Sequence, residues 1–253
     1  MITHVDTIAT AAPAGRPRPL FPHLDSATSW RRFELIDLPP AGGHDMACTE
    51  QEAGYLLLSG GIAVEQAGER LAVEAPGAIR CAPGTAHQLT AGPQGARMLC
   101  VGVEAPGSHG GGLAADTFAR DRLPWRDAIH GGGGRIGTRH LWRPEEFASS
   151  WTFVDHAVLS EDSSLGRHYH DHLEEAFVVL SGRGWMTIGE DTVEVGAGAV
   201  TRQCANIAHG LYNPFAEDLD FIRVAVATPG EQFTTIDLDD DLRQRRPTHE
   251  STP

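Results

Sequence analysis

From Trp30 to about Glu104 the chain alternates apolar and polar positions in short runs, "RRFELIDL", "GYLLLSG", "GIAVEQ", "RLAVEA" and "AIRCA", each closed by Gly or Pro. Period-two patterning broken every eight to twelve residues or so predicts an all-β barrel or sandwich. No long amphipathic helix competes. Between residues 105 and 137 the rhythm lapses: "APGSHGGG" and "HGGGGRIG" flank "LAADTFARDRLPWRDAI", which has room for one short helix. It resumes in "WTFVDHAVLS", "EEAFVVLSG", "GWMTIG", "DTVEVG", "AVTRQC" and "DFIRVAVA".

The two stretches of strands are related. Shifting "LLSG" at 57–60 by 122 residues brings it onto "VLSG" at 179–182, and the same shift carries His87 onto His209. One offset that fits two separated landmarks argues for two copies of one β-unit. The expected organisation is an arm over 1–28, a first barrel over 29–104, a Gly-rich linker over 105–137, a second barrel over 138–230 and a frayed polar tail over 231–253.

Charge and composition narrow the partners. With 20 basic against 34 acidic residues the formal net charge is -14, which disfavours nucleic acid and anionic membrane surfaces and leaves a small molecule as the expected partner. No run of apolar residues is long enough for a membrane span and no signal peptide is apparent, so a cytoplasmic location is expected. Cys48, Cys81, Cys100 and Cys204 are scattered without metal-binding spacing and read as reduced thiols.

The chemistry concentrates in "HYHDHLEEAFVVLSG", residues 168–182. In a strand, residues i and i+2 share a face, so His168 and His170 point together and Tyr169 points away. After a turn through "DHLE", Glu175 leads the next strand and can meet the pair, and His209, after the strand "AVTRQC", is the candidate fourth ligand. Three imidazoles and a carboxylate suit a divalent transition metal, here Fe, Mn, Ni or Zn.

These residues resemble the cupin motifs. His168-X-His170, Glu175 after four intervening residues and Gly182 after six more match the first motif. Gly198, His209 and Asn213 match the second, with Cys204 in place of its proline and Asn206 in place of its glycine. The resemblance implies small jelly-roll barrels with the metal inside. Subtracting 122 from the ligand positions gives Met46, Cys48, Ala53 and His87, so the chain is expected to be a bicupin with an intact C-terminal site and a degenerate N-terminal barrel. A residual site of Cys48, His87 and His44 is the weaker alternative.

The resemblance implies a non-haem metal enzyme acting on a small oxygen-rich substrate: an enol, a keto- or hydroxy-acid, or an aromatic. A dioxygenase-type oxidoreductase is the first expectation, a redox-neutral isomerase, lyase, decarboxylase or hydrolase the second, and a non-catalytic ligand-binding bicupin the third. Acid-base candidates are Tyr169, His172 and Tyr212. Pocket candidates are Phe177, Trp185, Arg202, Gln203 and Arg223, and alternation alone leaves open whether Arg202 or Gln203 faces inward. Glu174 is expected to face solvent, and a homodimer is expected.

Overall fold

The computed structural model describes residues 1–4, 16–21, 28–46, 50–107 and 112–247. The alternating runs form strands: β1 (Ile2–His4), β2 (Arg18–Pro19), β3 (Trp30–Leu38), β4 (Gly43–Met46), β5 (Gln51–Gln66), β6 (Glu69–Glu74), β7 (Gly77–Cys81), β8 (His87–Glu104), β9 (Ala114–Thr117) and β10 (Trp125–Asp127). They continue as β11 (Arg135–Trp142), β12 (Trp151–Leu159), β13 (Ser163–His170), β14 (Leu173–Ser181), β15 (Arg183–Ile188), β16 (Asp191–Gly196), β17 (Ala199–Gln203), β18 (His209–Asn213), β19 (Leu219–Ala227) and β20 (Thr235–Asp237). Among the described residues there is no α-helix, only short 3-10 turns. The stretch with room for a helix holds β9 instead, where Ala114–Thr117 pair along Gly77–Arg80. An open strand edge there overrides the weak helical preference of two alanines.

Two compact units interleave along the chain. Val5–Ala119 and Leu141–Thr152 make one, and Met1–His4, Arg120–His140 and Phe153–Pro253 make the other. Each draws on segments outside the runs 29–104 and 138–230. In the C-terminal unit, one sheet runs β1-β17-β14-β19-β12-β11-β10 and the other β16-β15-β18-β13-β20. Their facing sides bury Leu165, Phe177, Val179, Met186, Leu211 and Phe221, the alternate positions that apolar periodicity marks as inward. The polar tail adds β20 to the edge of β13 and buries Leu242.

Register carries the 122-residue repeat into three dimensions. Met46 pairs with His87 as His168 pairs with His209. Ala53 pairs with Cys81 as Glu175 pairs with Gln203, and Ile62 with Val73 as Gly184 with Val195. In each case adding 122 to the first pair gives the second.

Where the C-terminal unit carries its ligand cluster, the N-terminal unit is apolar. Met46, Ala53, Tyr55, Leu57, Ile79 and Cys81 belong to one buried cluster there. His87 Nε2 meets the Tyr55 hydroxyl at 2.6 Å, and His44 Nε2 lies 3.1 Å from Met46 Sδ, so both imidazoles are engaged locally. Burial pushes the His87 pKa down to about 4, which keeps it neutral. Cys48, part of the weaker alternative site, lies outside the described residues, and Cys81, Cys100 and Cys204 are free thiols.

The segment 141–152 is fastened to the N-terminal unit by Glu52, which is fully buried. Its Oε2 accepts hydrogen bonds from the amides of Ala148 and Ser149 at 3.0 Å and from Ser149 Oγ at 2.8 Å, and Arg80 Nη1 stands 3.5 Å from Oε1. Replacing Glu52 by Ala strands a buried guanidinium and three donors. We predict a loss of about 3–5 kcal/mol in equilibrium urea unfolding, and a loss below about 1 kcal/mol would show that the carboxylate is not the fastening.

Candidate metal centre

Strand β13 presents His168 and His170 inward, β14 presents Glu175, and His209 opens β18. One ligand atom from each of the four lies within 4.8 Å of those of the others, and all four residues are buried. His209 Nε2 is 2.9 Å from Glu175 Oε2, His170 Nε2 is 3.5 Å away and His168 Nε2 is 3.9 Å away.

The outer nitrogens are all occupied. His168 Nδ1 donates to the Gly166 carbonyl at 2.8 Å and His209 Nδ1 to the Ile207 carbonyl at 2.9 Å, while His170 Nδ1 meets Thr235 Oγ1 at 3.0 Å. The two carbonyl acceptors put a proton on Nδ1 of His168 and His209, and all three outward bonds orient the rings so that Nε2 faces the centre. Two of these inner atoms, His168 Nε2 and His170 Nε2, are buried without a hydrogen-bond partner. Such orphans are costly in a protein interior, and a cation at the convergence point would satisfy both.

The electrostatics agree with that fit. Burial pushes the His168 pKa down to about 2, helped by the neighbouring His209, so the ring is neutral and its lone pair available. Burial alone would raise the Glu175 carboxyl, but the imidazoles of His170 and His209 outweigh it and hold the group well below the usual carboxylate range. The set offers one carboxylate and three imidazole nitrogens, a combination suited to a divalent transition metal.

A cupin domain family model matches residues 156–225, a span that includes all four of these side chains. Residues 156–225 form a cupin domain. Solved structures show the same fold over most of the chain. An oxalate decarboxylase from Bacillus subtilis aligns with a TM-score of 0.67 at 13% identity, covering 93% of this chain and 79% of that one. A salicylate 1,2-dioxygenase from Pseudaminobacter salicylatoxidans aligns at 0.72 and 10%, covering 93% and 87%. A cupin 2 conserved barrel protein from Leptotrichia buccalis aligns at 0.65 and 13%, covering 89% and 96%. None of the curated proteins matches the chain.

Within the cupin domain, strand alternation sorts the other candidates. Gln203 pairs opposite Glu175 and so lies on the ligand face, where its Nε2 donates to Thr201 Oγ1 at 2.7 Å and its Oε1 is buried without a partner. Arg202, one residue earlier, takes the other face and forms a buried pair with Glu174 at 2.9 Å. Arg202 is therefore not a pocket residue, and Glu174 faces that partner rather than solvent. Phe177 and Arg223 pair with each other on the inner face. Phe177 stacks on Phe221 and turns toward His209, with ring centroids 6.0 Å apart. Arg223 reaches Asp155 Oδ2 at 2.7 Å, and its Nε is buried without a partner.

Three aromatic candidates lie on the wrong side. Trp185 pairs opposite Tyr212, and both alternate with the inward Met186 and Leu211. The Tyr212 hydroxyl donates to Asp162 at 2.6 Å, and burial together with that carboxylate pushes its pKa up to about 12, a poor match for proton transfer near neutrality. Tyr169 alternates with the two ligands and faces away from them. His172 stands in the turn before β14, where its carbonyl accepts from the Thr228 amide.

The structure adds residues that the motifs do not contain. His130 stacks on His168, with centroids 3.9 Å apart and planes 16° from parallel, and its Nδ1 donates to Asp237 at 2.8 Å. Its loop can approach because residue 166 is glycine: a Cβ there would lie 1.8 Å from the His130 carbonyl oxygen. Phe233 sets its ring edge-on to His170 at 5.9 Å. The four glycines that follow His130 read in the sequence only as linker.

The depressed His168 pKa makes metal-free stability depend on pH. Below a pKa of about 6.5 the unfolded chain takes up a proton that the buried ring does not, so stability falls as pH falls. We predict that His168 alone removes about 2 kcal/mol between about pH 7 and pH 5, above the range where Glu175 titrates in the unfolded chain. Urea unfolding of metal-free His168→Gln should show a correspondingly shallower pH slope; the same slope as wild type would contradict the burial argument.

Proposed function

We propose that the C-terminal barrel is a metal-dependent enzyme centre acting on a small, oxygen-rich carboxylate or enol, with dioxygenase-type oxidation as its reaction. The observation that carries this reading is the pair of orphaned Nε2 atoms of His168 and His170, aimed at the space they share with Glu175 and His209. A divalent transition metal bound there supplies a Lewis acid for two substrate oxygens and, if redox-active, access to oxygen chemistry.

The chain's own groups define what else the substrate meets. Arg223 offers a buried Nε-H on the ligand face, suited to an anionic oxygen, and Gln203 offers a free Oε1, suited to a hydroxyl. Phe177 and Phe221 form an apolar wall that excludes water beside His209. Oxalate and salicylate, the substrates named for two proteins of this fold, are both small carboxylates with a second oxygen within chelating reach. The decarboxylase likeness supports a redox-neutral reaction as the second reading.

Elemental analysis of protein purified without added metal is expected to find close to one equivalent per chain. Iron, nickel or copper would favour oxygen chemistry, and manganese or zinc the redox-neutral reading. His168→Ala and His209→Ala are expected to lose that metal and His87→Ala to keep it, while comparable loss in His87→Ala would overturn the assignment to one barrel. Arg223→Met is expected to weaken salicylate or oxalate binding by about 10-fold or more in calorimetry of the metal-loaded protein. Equal affinity would remove Arg223 from the pocket.

A further inference from the structure

Two of the imidazoles facing the centre are held from outside the matched domain. Strand β20 lies along the edge of β13 in a register that sets Thr235 opposite His170 and Asp237 opposite His168. Thr235 and Asp237, two residues apart, share a face. Thr235 Oγ1 meets His170 Nδ1 at 3.0 Å, and Asp237 Oδ1 accepts from the Nδ1 of His130, whose ring lies flat against His168.

The segment beyond β20 is fastened to the same strand. The Leu238 amide donates to the Arg167 carbonyl at 2.9 Å, and Arg167 Nη1 donates to Asp240 Oδ2 at 2.6 Å. Arg245 bonds to Asp240 and Glu190, and Leu242 is 3% exposed. The residues on either side of the two ligands are thus tied down by a segment more than 60 positions downstream in the chain.

We propose that β20 is a positioning strap for the metal centre: Thr235 directly, and Asp237 through His130, fix the rings of His170 and His168 so that metal is retained. The inference rests on the metal-centre reading above. An imidazole swings about two side-chain torsions, and a ligand that must first be oriented binds more weakly than one already held. His168 is fixed in its plane by the Gly166 carbonyl and across its plane by the stacked His130. The Nδ1 of His170 is held by the Thr235 hydroxyl.

The test is cobalt(II) affinity of the full chain, measured by competition with a chromophoric chelator, together with the visible spectrum of the cobalt-loaded protein and the Tm of the metal-free protein. Thr235→Val and His130→Ala are each expected to weaken cobalt binding by about 10–100-fold and to alter the spectrum. Thr235→Ser should restore affinity through its hydroxyl, and His130→Phe should recover most of it by keeping a stacked ring. Asp241→Ala, whose side-chain bonds go to Arg243 and Gln244, should match wild type. A fall in metal-free Tm with cobalt affinity and spectrum unmoved in both Thr235→Val and His130→Ala would mean that the strap only supports the barrel, and the proposal fails. Wild-type protein that takes up no cobalt would instead overturn the metal-centre reading itself.

Discussion

A carboxylate shut away from water must be met by charge or by hydrogen bonds, and in the C-terminal unit that carboxylate is Glu175. Its neighbours are arranged around this demand. His209 already bonds to it, His170 and His168 stand at increasing distance, and each imidazole turns its outer nitrogen toward a carbonyl or hydroxyl so that the inner one faces the acid. The inner face around it is also unusually polar for a barrel interior, with Gln203, Arg223 and Asp155 all buried.

The N-terminal unit shows the same scaffold without that demand. Ala53 occupies the position of Glu175 in register, and with no buried anion to satisfy, the interior closes over with Met46, Leu57 and Ile79. His87 persists because the Tyr55 hydroxyl gives its Nε2 a partner. Two barrels of one pattern thus differ at the strand lip, where Met46, Cys48 and Ala53 stand at the positions of His168, His170 and Glu175, and the apolar packing accompanies that difference.

Much of this was legible in the residues. The His-X-His spacing placed both imidazoles on one face of a strand, and the 122-residue offset identified their lost counterparts down to the pairing of Met46 with His87. Asn206 stands where the motif has glycine and adopts a positive φ of 63°, a conformation that asparagine tolerates better than most side chains, so the turn before His209 survives the change. Alternation stopped short at Arg202 and Gln203, because a strand's inward set is fixed only by its register with the neighbour, and a one-residue shift exchanges the two faces. His130, Thr235 and Asp237 gave no signal, since a three-residue strand has no measurable period and the glycine run that lets His130 approach looks like an ordinary linker.

The interleaving of the two units bears on how the chain is made. Ile2–His4 pair with Ala199–Thr201, so this strand waits for nearly the whole second barrel to be made before its partner exists. Residues 141–152 are the reverse case: they return to a unit whose other strands are already complete. Closing contacts so far apart in sequence slows folding relative to local ones, and no single cut in the chain would release either barrel with all of its pieces.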